Sequence, residues 1–149
     1  MANQQKSIQI QFRLTNVEEV QFTTLPNEWP EEEMQVNNQL SFNVETDKRL
    51  VHCLTDFEYK LNDITQLILK VRTTFEFATE SWSSMYQLQG DQWVLPAGLL
   101  HHLADINLGA ARGILAVRTK DAGFKPVILP LMSAAQVIKN NLSVPRKQG

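Results

Sequence analysis

Residues 50–78 read LVHCLTDFEYKLNDITQLILKVRTTFEFA, and the way they alternate decides the fold. Val51, Cys53, Thr55, Phe57, Tyr59 and Leu61 fall on one side of a strand over 50–61. Leu67, Leu69, Val71, Thr73, Phe75 and Phe77 do the same over 64–78. A period of two is that of a strand with one buried face. Between the two runs, Asn62-Asp63 supplies a pair of residues that tolerate positive φ, so the strands are expected to close as a hairpin. Strands of this length reach roughly 40–50 Å at about 3.3 Å per residue. That is well beyond the usual strand, and a platform so long has to be covered by the rest of the chain.

Upstream, Leu40, Phe42 and Val44 predict another strand, ended by the turn-like Thr46-Asp47-Lys48-Arg49. Ile8, Ile10, Phe12 and Leu14 open the first strand; its pattern breaks near Asn16 and resumes at Val20 and Phe22, which predicts a bend or bulge. Residues 24–38 have no period, two prolines and the run Glu31-Glu32-Glu33, and read as a long loop of the kind that carries function or lacks order.

Downstream, Pro96 suits the first position of a helix, and the period becomes helical over 96–120. Leu99, Leu103, Ile106, Ala110, Ile114 and Val117 form one seam; Leu100, Ala104, Leu108, Ala111 and Leu115 form another beside it. Together they span roughly 200° of arc, about twice the stripe of a helix lying on one surface. The helix therefore calls for two partners, its own sheet and the same helix of another subunit, and the second seam is assigned to self-association. Gly109 and Gly113 weaken the helix by about 1 kcal/mol each relative to alanine, which allows a break near Asn107. Val127-Ile128-Leu129-Pro130 reads as a short extended run, and Ser133 as the N-cap of a final helix to about residue 142. The expected organisation is a single domain over 1–149, ordered over 7–142, with a fraying tail over 143–149.

The composition fits an ordinary globular domain: 149 residues, 43% hydrophobic and 20% charged. A formal net charge of −2 offers no electrostatic footprint for nucleic acid or an anionic membrane. The single cysteine excludes an internal disulfide and suits a reducing compartment. Met1-Ala2-Asn3-Gln4-Gln5-Lys6 has no apolar core of a signal peptide, and no run approaches the roughly 18 residues of a membrane span. A soluble cytoplasmic chain, without membrane insertion, is expected.

Signals for catalysis are thin, and no catalytic residue, metal ligand or cofactor is assigned. His101 and His102 point about 100° apart on a helix and do not share a ligand position. His101 and Asp105 share a face with Arg112 nearby, which reads first as a solvated polar face and second as an acid–base or metal site. His52 alternates outward and is expected to be exposed. Cys53 reads as a small buried hydrophobe. More informative are apolar residues inside polar segments. Trp29 sits in the long loop with Leu25 and Met34 nearby. Either Trp29 folds the loop back onto the sheet, or loop and sheet wall a hydrophobic groove that binds peptide. Phe22, Leu25, Trp29, Met34 and Phe42 are assigned to that groove. Trp82, Met85, Tyr86 and Trp93 form a second apolar cluster, expected to cap the core between sheet and helix.

The order of these elements resembles that of the SecB family of protein-export chaperones and their SecB-like relatives, over about residues 7–142. Gly109-Ala110-Ala111-Arg112-Gly113-Ile114-Leu115 is similar to the Tyr-Ala-Arg-Glu-Cys-Ile segment of the family's long helix. Phe124, Val127-Ile128-Leu129-Pro130 and Ala134-Ala135-Gln136-Val137-Ile138 correspond to its following loop, extended run and second helix. Ile8-Gln9-Ile10-Gln11 stands at strand one, and Glu28-Trp29 where the family carries Asp-Trp in the crossover loop.

The resemblance implies an α+β fold: a four-stranded antiparallel Greek-key sheet packed on a long helix, with a short C-terminal helix. It implies a non-enzymatic, ATP-independent holdase that uses no cofactor, assembles as a dimer of dimers, and holds unfolded or precursor polypeptides for export. Members that dock the SecA motor are acidic on the outer sheet face and tail. Here Glu19 keeps one carboxylate, Thr23 replaces another, Lys70 stands where a glutamate is expected and the tail carries Arg146-Lys147, so docking to SecA by charge complementarity is in question. The alternative within the resemblance is an adaptor or toxin–antitoxin-associated chaperone with one dedicated partner, without SecA.

Overall fold

The computed structural model describes residues 9–25, 29–130 and 132–146. The hairpin at the centre forms as its alternation dictates: β3 is Leu50–Leu61 and β4 is Ile64–Phe77. Asn62 and Asp63 take φ of 51° and 64°, the left-handed pair that twists a two-residue hairpin with its strands. β1 (Phe12–Thr24) lies antiparallel beside β4, and β2 (Gln35–Glu45) beside β3. The four-stranded order β1-β4-β3-β2 is a Greek key, since the chain must cross from one sheet edge to the other between β1 and β2.

β1 carries the irregularity expected near Asn16, a register shift between Leu14 and Asn16, and a second one between Glu19 and Gln21. The strand begins at Phe12, not near Ile8; Ile8 itself lies outside the described residues, and Ile10 packs on the core without pairing. β2 starts at Gln35, so the aperiodic segment is shorter than expected, because Val36 finds a partner in Tyr59.

The long helix, α2, runs Ala97–Asp121 without the break allowed near Asn107, and Pro96 is its N-cap and not its first helical residue. Just past its C-cap Ala122, Gly123 takes a φ of +90°, which turns the chain away from the helix. α2 covers the inward face of β3 and β4. The covering seam is Leu100, Ala104, Leu108, Ala111 and Leu115, all buried within this one chain. This corrects their assignment to a subunit interface: the seam set aside for self-association is the one that packs on the sheet. Leu99 and Leu103 of the other seam are also buried, whereas Ile106, Ala110 and Ile114 are half-buried and Val117 is exposed.

Asn107 explains the choice of face. It is fully buried, yet its amide nitrogen donates to the carbonyl oxygens of Cys53 (2.9 Å) and Val71 (3.2 Å) and to Thr73 Oγ1 (3.0 Å). Thr55 Oγ1 donates to Asn107 Oδ1 at 2.6 Å. This satisfied polar node separates two apolar clusters. One gathers Val51, Cys53, Phe75, Phe77, Leu100 and Leu103; the other gathers Phe57, Tyr59, Leu67, Leu69, Leu108 and Leu115.

Three elements were not anticipated: α1 (Thr79–Ser84), and the strands β5 (Tyr86–Gln87) and β6 (Gln92–Leu95). A further strand, β7 (Leu142–Pro145), pairs with β6 in a small sheet of order β5-β6-β7. Residues 142–145 therefore do not fray, because Leu142 and Val144 pack on the first cluster. The final helix, α3, is one turn long (Ala134–Val137). Residues 127–130 join neither sheet; Val127 and Leu129 are buried, Ile128 is exposed, and the Val127 N–H donates to Thr119 Oγ1.

Candidate functional site: an apolar patch at the Trp29 end of the sheet

The hairpin end of β3 and β4 offers an inward face built by Tyr59, Phe57, Leu67 and Leu69. The segment between β1 and β2 folds over it. Trp29 stands edge-on to Tyr59, with ring centroids 5.9 Å apart at 68°, and lies 5.7 Å from the Phe124 ring after α2. Such edge-to-face geometry places the positive rim of one ring on the negative face of the other. Phe22, Trp29, Met34, Val36, Ile114 and Met132 all pack on this cluster while remaining only half-buried.

Of the five residues assigned to a groove, three come together: Phe22, Trp29 and Met34. Leu25 does not join them; it is 67% exposed, and its backbone N–H continues the β1–β4 ladder to Gln66 O. Phe42 pairs with Cys53 and packs on the other cluster. Glu28, beside Trp29, lies outside the described residues. Val36 and Met132 belong to the patch but were missed. Val36 lay in the presumed loop, and Met132 belongs to a segment whose place on the sheet no local pattern encodes. Beside the patch, a cleft of about 40 Å³ opens among Leu40 of β2, Phe57 of β3, Leu108 of α2, and Met132, Ala134 and Val137.

The patch has polar edges. Arg118 of α2 forks the Glu19 carboxylate with two bonds of 2.7 Å, and its guanidinium lies 5.6 Å from the Phe22 ring centroid. The side-chain hydrogen bond from Arg118 holds the Glu19 carboxyl below its ordinary range, against the opposing effect of burial. Glu19 faces inward beside Val71, so it is not an outer-face carboxylate as its alignment suggested. Tyr59 is buried, its hydroxyl has no hydrogen-bond partner among the described residues, and burial pushes it up to about 12.

The candidate chemical groups lead elsewhere. Cys53 is fully buried and desolvation pushes its thiol up to about 12, so it is no thiolate at neutral pH. His101 Nε2 bonds to Ile138 O at 2.5 Å, His102 stands edge-on to Phe12, and Asp105 is exposed. His52 points outward as expected but is half-buried, held by Glu45 Oε2 (2.7 Å) and Thr74 Oγ1 (2.9 Å). The outer face is a set of opposite charges brought close: Arg13 with Glu76, Glu18 with Arg72, Asp56 with Lys70. Among the described residues, no group of three His, Cys, Asp or Glu is placed to hold a metal ion, and no helix is long and apolar enough to cross a membrane.

No family model matches the chain, and no curated protein matches it in sequence. Solved structures do match. A SecB-like chaperone of Mycobacterium tuberculosis, in complex with a peptide from an antitoxin, aligns over 82% of this chain and 88% of its own, with a TM-score of 0.53 at 9% identity. The fold is SecB-like. A protein of unknown function from Streptococcus agalactiae aligns over 83% of this chain and 99% of its own, with a TM-score of 0.38 at 13% identity. The SecB-like fold rests here on a Greek-key sheet and a long helix; at 9% identity it extends to architecture and not to the side chains of the patch.

Proposed function

We propose that this chain is a non-enzymatic, ATP-independent chaperone that holds extended polypeptide on the Trp29 end of its sheet. The carrying observation is the half-buried set Phe22, Trp29, Met34, Val36 and Met132 packed on one cluster, of which Met132 also lines the small cleft. Aromatic and thioether side chains of this kind adapt to many apolar partners. A light-scattering assay with an aggregating client tests the reading. Suppression in the absence of nucleotide is expected, and no suppression at a molar excess of chaperone overturns it.

A second copy of the chain is the other partner in this proposal. α2 covers β3 and β4 and reaches β1 at Phe12 and Glu19, but leaves the middle of β1's inward face open: Leu14 is 44% and Val17 43% exposed. With Val117 exposed on α2, they form the apolar margin where subunits would pair as dimers and then tetramers. The cytoplasm is the proposed compartment.

The alternative is a chaperone dedicated to one partner. It is favoured by the fold neighbour, whose own complex is with an antitoxin peptide. It also fits an outer sheet face whose carboxylates lie beside Arg13, Arg72 and Lys70, leaving little net charge to steer a SecA-type motor. Pull-down separates the two, since one stoichiometric partner marks the dedicated form and many unfolded chains the general one.

A further inference from the structure

Three of the four methionines, Met34, Met85 and Met132, lie among the described residues, and the fold treats them differently. Met85 is 6% exposed inside the first cluster. Met34 and Met132 are half-buried on the second. Met132 also lines the cleft of about 40 Å³, with Leu40, Phe57 and Leu108. A small oxidant reaches a thioether in such a place and is kept from one in a core.

The residue that meets Met132 is the odd one of its strand. Val36, Asn38, Leu40, Phe42 and Val44 alternate along one face of β2, and Asn38 is the polar member of that apolar series. It pairs with the buried Phe57 and lines the same cleft. Its side-chain nitrogen donates to the Met132 sulfur, and the pair is exposed. A thioether sulfur is a weak acceptor. A sulfoxide oxygen is a strong one, so the Asn38 amide stands ready for the oxygen that oxidation would add to Met132.

We propose that Met132 is a site of reversible oxidation by hydrogen peroxide, at which Asn38 binds the sulfoxide oxygen and the patch loses its hold on apolar clients. The sulfur attacks one peroxide oxygen. An S–O bond forms as the O–O bond breaks, and the sulfur gives up two electrons. The transferred oxygen passes its proton to the departing hydroxide, which leaves as water. A dithiol returns the two electrons and takes the oxygen off as water in the reaction of methionine sulfoxide reductases. Oxidation turns a flexible apolar side chain into a polar one, and the bond to Asn38 then ties it to β2 at the cleft. The effect on clients rests on the polypeptide-binding reading above; the oxidation itself does not.

Peroxide treatment of the full chain, followed by catalase, tests this. Peptide mass mapping should show Met132 gaining oxygen roughly tenfold faster than Met85, from its greater access. In proton–nitrogen correlation spectra the Asn38 side-chain amide, assigned by its loss in Asn38→Ala, should move downfield on oxidation and return after reductase and dithiothreitol. Affinity for carboxymethylated α-lactalbumin should fall about fivefold and recover in the same way, as for one lost thioether contact. Met34→Leu should keep this sensitivity, and Met132→Leu should lose it, whatever the starting affinity of each. Met132 oxidised no faster than Met85, an unmoved Asn38 signal, or an equal fall in Met132→Leu overturns the proposal. A wild type that binds no client before treatment removes the proposed function and the effect on clients with it, while the mass map and the amide signal still decide the oxidation site.

Discussion

Asn107, in the middle of the buried face of α2, donates its side-chain amide to the carbonyl oxygen of Cys53 on β3 at 2.9 Å. With Thr55, Thr73 and Val71 it forms a polar node inside an otherwise apolar helix–sheet contact. Each partner is satisfied only while the helix holds one register on the sheet, so the node fixes which seam of α2 is buried and where it sits.

Replacing Asn107 by alanine leaves the Thr55 hydroxyl without its acceptor and opens a small void. The expected loss is about 2–4 kcal/mol, read as a fall in denaturation midpoint. Thr55→Val in the same background should cost much less than Thr55→Val alone, because its partner is already gone. Additive losses would mean that the two side chains do not act together.

The Glu19–Arg118 pair gives a pH signature. Glu19 is depressed in the folded chain, chiefly by its hydrogen bond from Arg118, so its contribution is complete above the ordinary carboxylate value and is lost as pH falls through the lower folded value. Glu19→Gln should therefore differ from wild type by a constant amount in melting temperature from about pH 6 upward. The difference should shrink in acid. A difference that grows on acidification contradicts the sign of the shift.

The sequence disclosed the parts of this fold in which local period and burial coincide. In β3 and β4 every inward residue from Val51 to Tyr59 and from Leu67 to Phe77 is buried, and Asn62-Asp63 turns as its composition demands. The helix was legible as an element but not in its orientation. Both seams are apolar, and the residue that decides between them, Asn107, is polar and was taken for a weak point. Its burial is stabilised by carbonyls and hydroxyls from strands 34 to 54 residues away in sequence, which no local pattern displays. Glu19 was misplaced for a related reason, because the bulges at Thr15 and Val20 reset which face each β1 residue takes. At the candidate site Trp29 and Met34 announced themselves as apolar residues in a polar loop. Met132 and the β5-β6-β7 sheet depend on long-range pairing.

Self-association should depend on the uncovered face of β1. Leu14→Lys and Val17→Lys add charge at half-exposed positions, where a lone chain tolerates it and an apolar contact between copies does not. Native mass spectrometry should record a shift from oligomer to monomer with the circular dichroism spectrum preserved. A wild-type chain that is strictly monomeric removes this part of the proposal.

The C-terminal strand should contribute to stability. Ending the chain after Asn141 removes β7, bares the edge of β6 and withdraws Leu142 and Val144 from the first cluster. A loss of about 2–4 kcal/mol is expected for two half-buried side chains and their ladder bonds, by chemical denaturation. An unchanged midpoint would mean that the tail adds nothing to the fold.

The most direct measurement of the central claim is the binding of a permanently unfolded chain, labelled reduced and carboxymethylated α-lactalbumin, followed by fluorescence anisotropy without nucleotide. The wild type should bind it saturably. The double variant Trp29→Ala, Met34→Ala should weaken binding by about tenfold or more, as for removal of an aromatic anchor. Its stability should fall by only about 1–2 kcal/mol, since both side chains are half-buried. Equal affinity in the two proteins, or none in the wild type, would contradict a polypeptide-binding surface at the Trp29 end of the sheet.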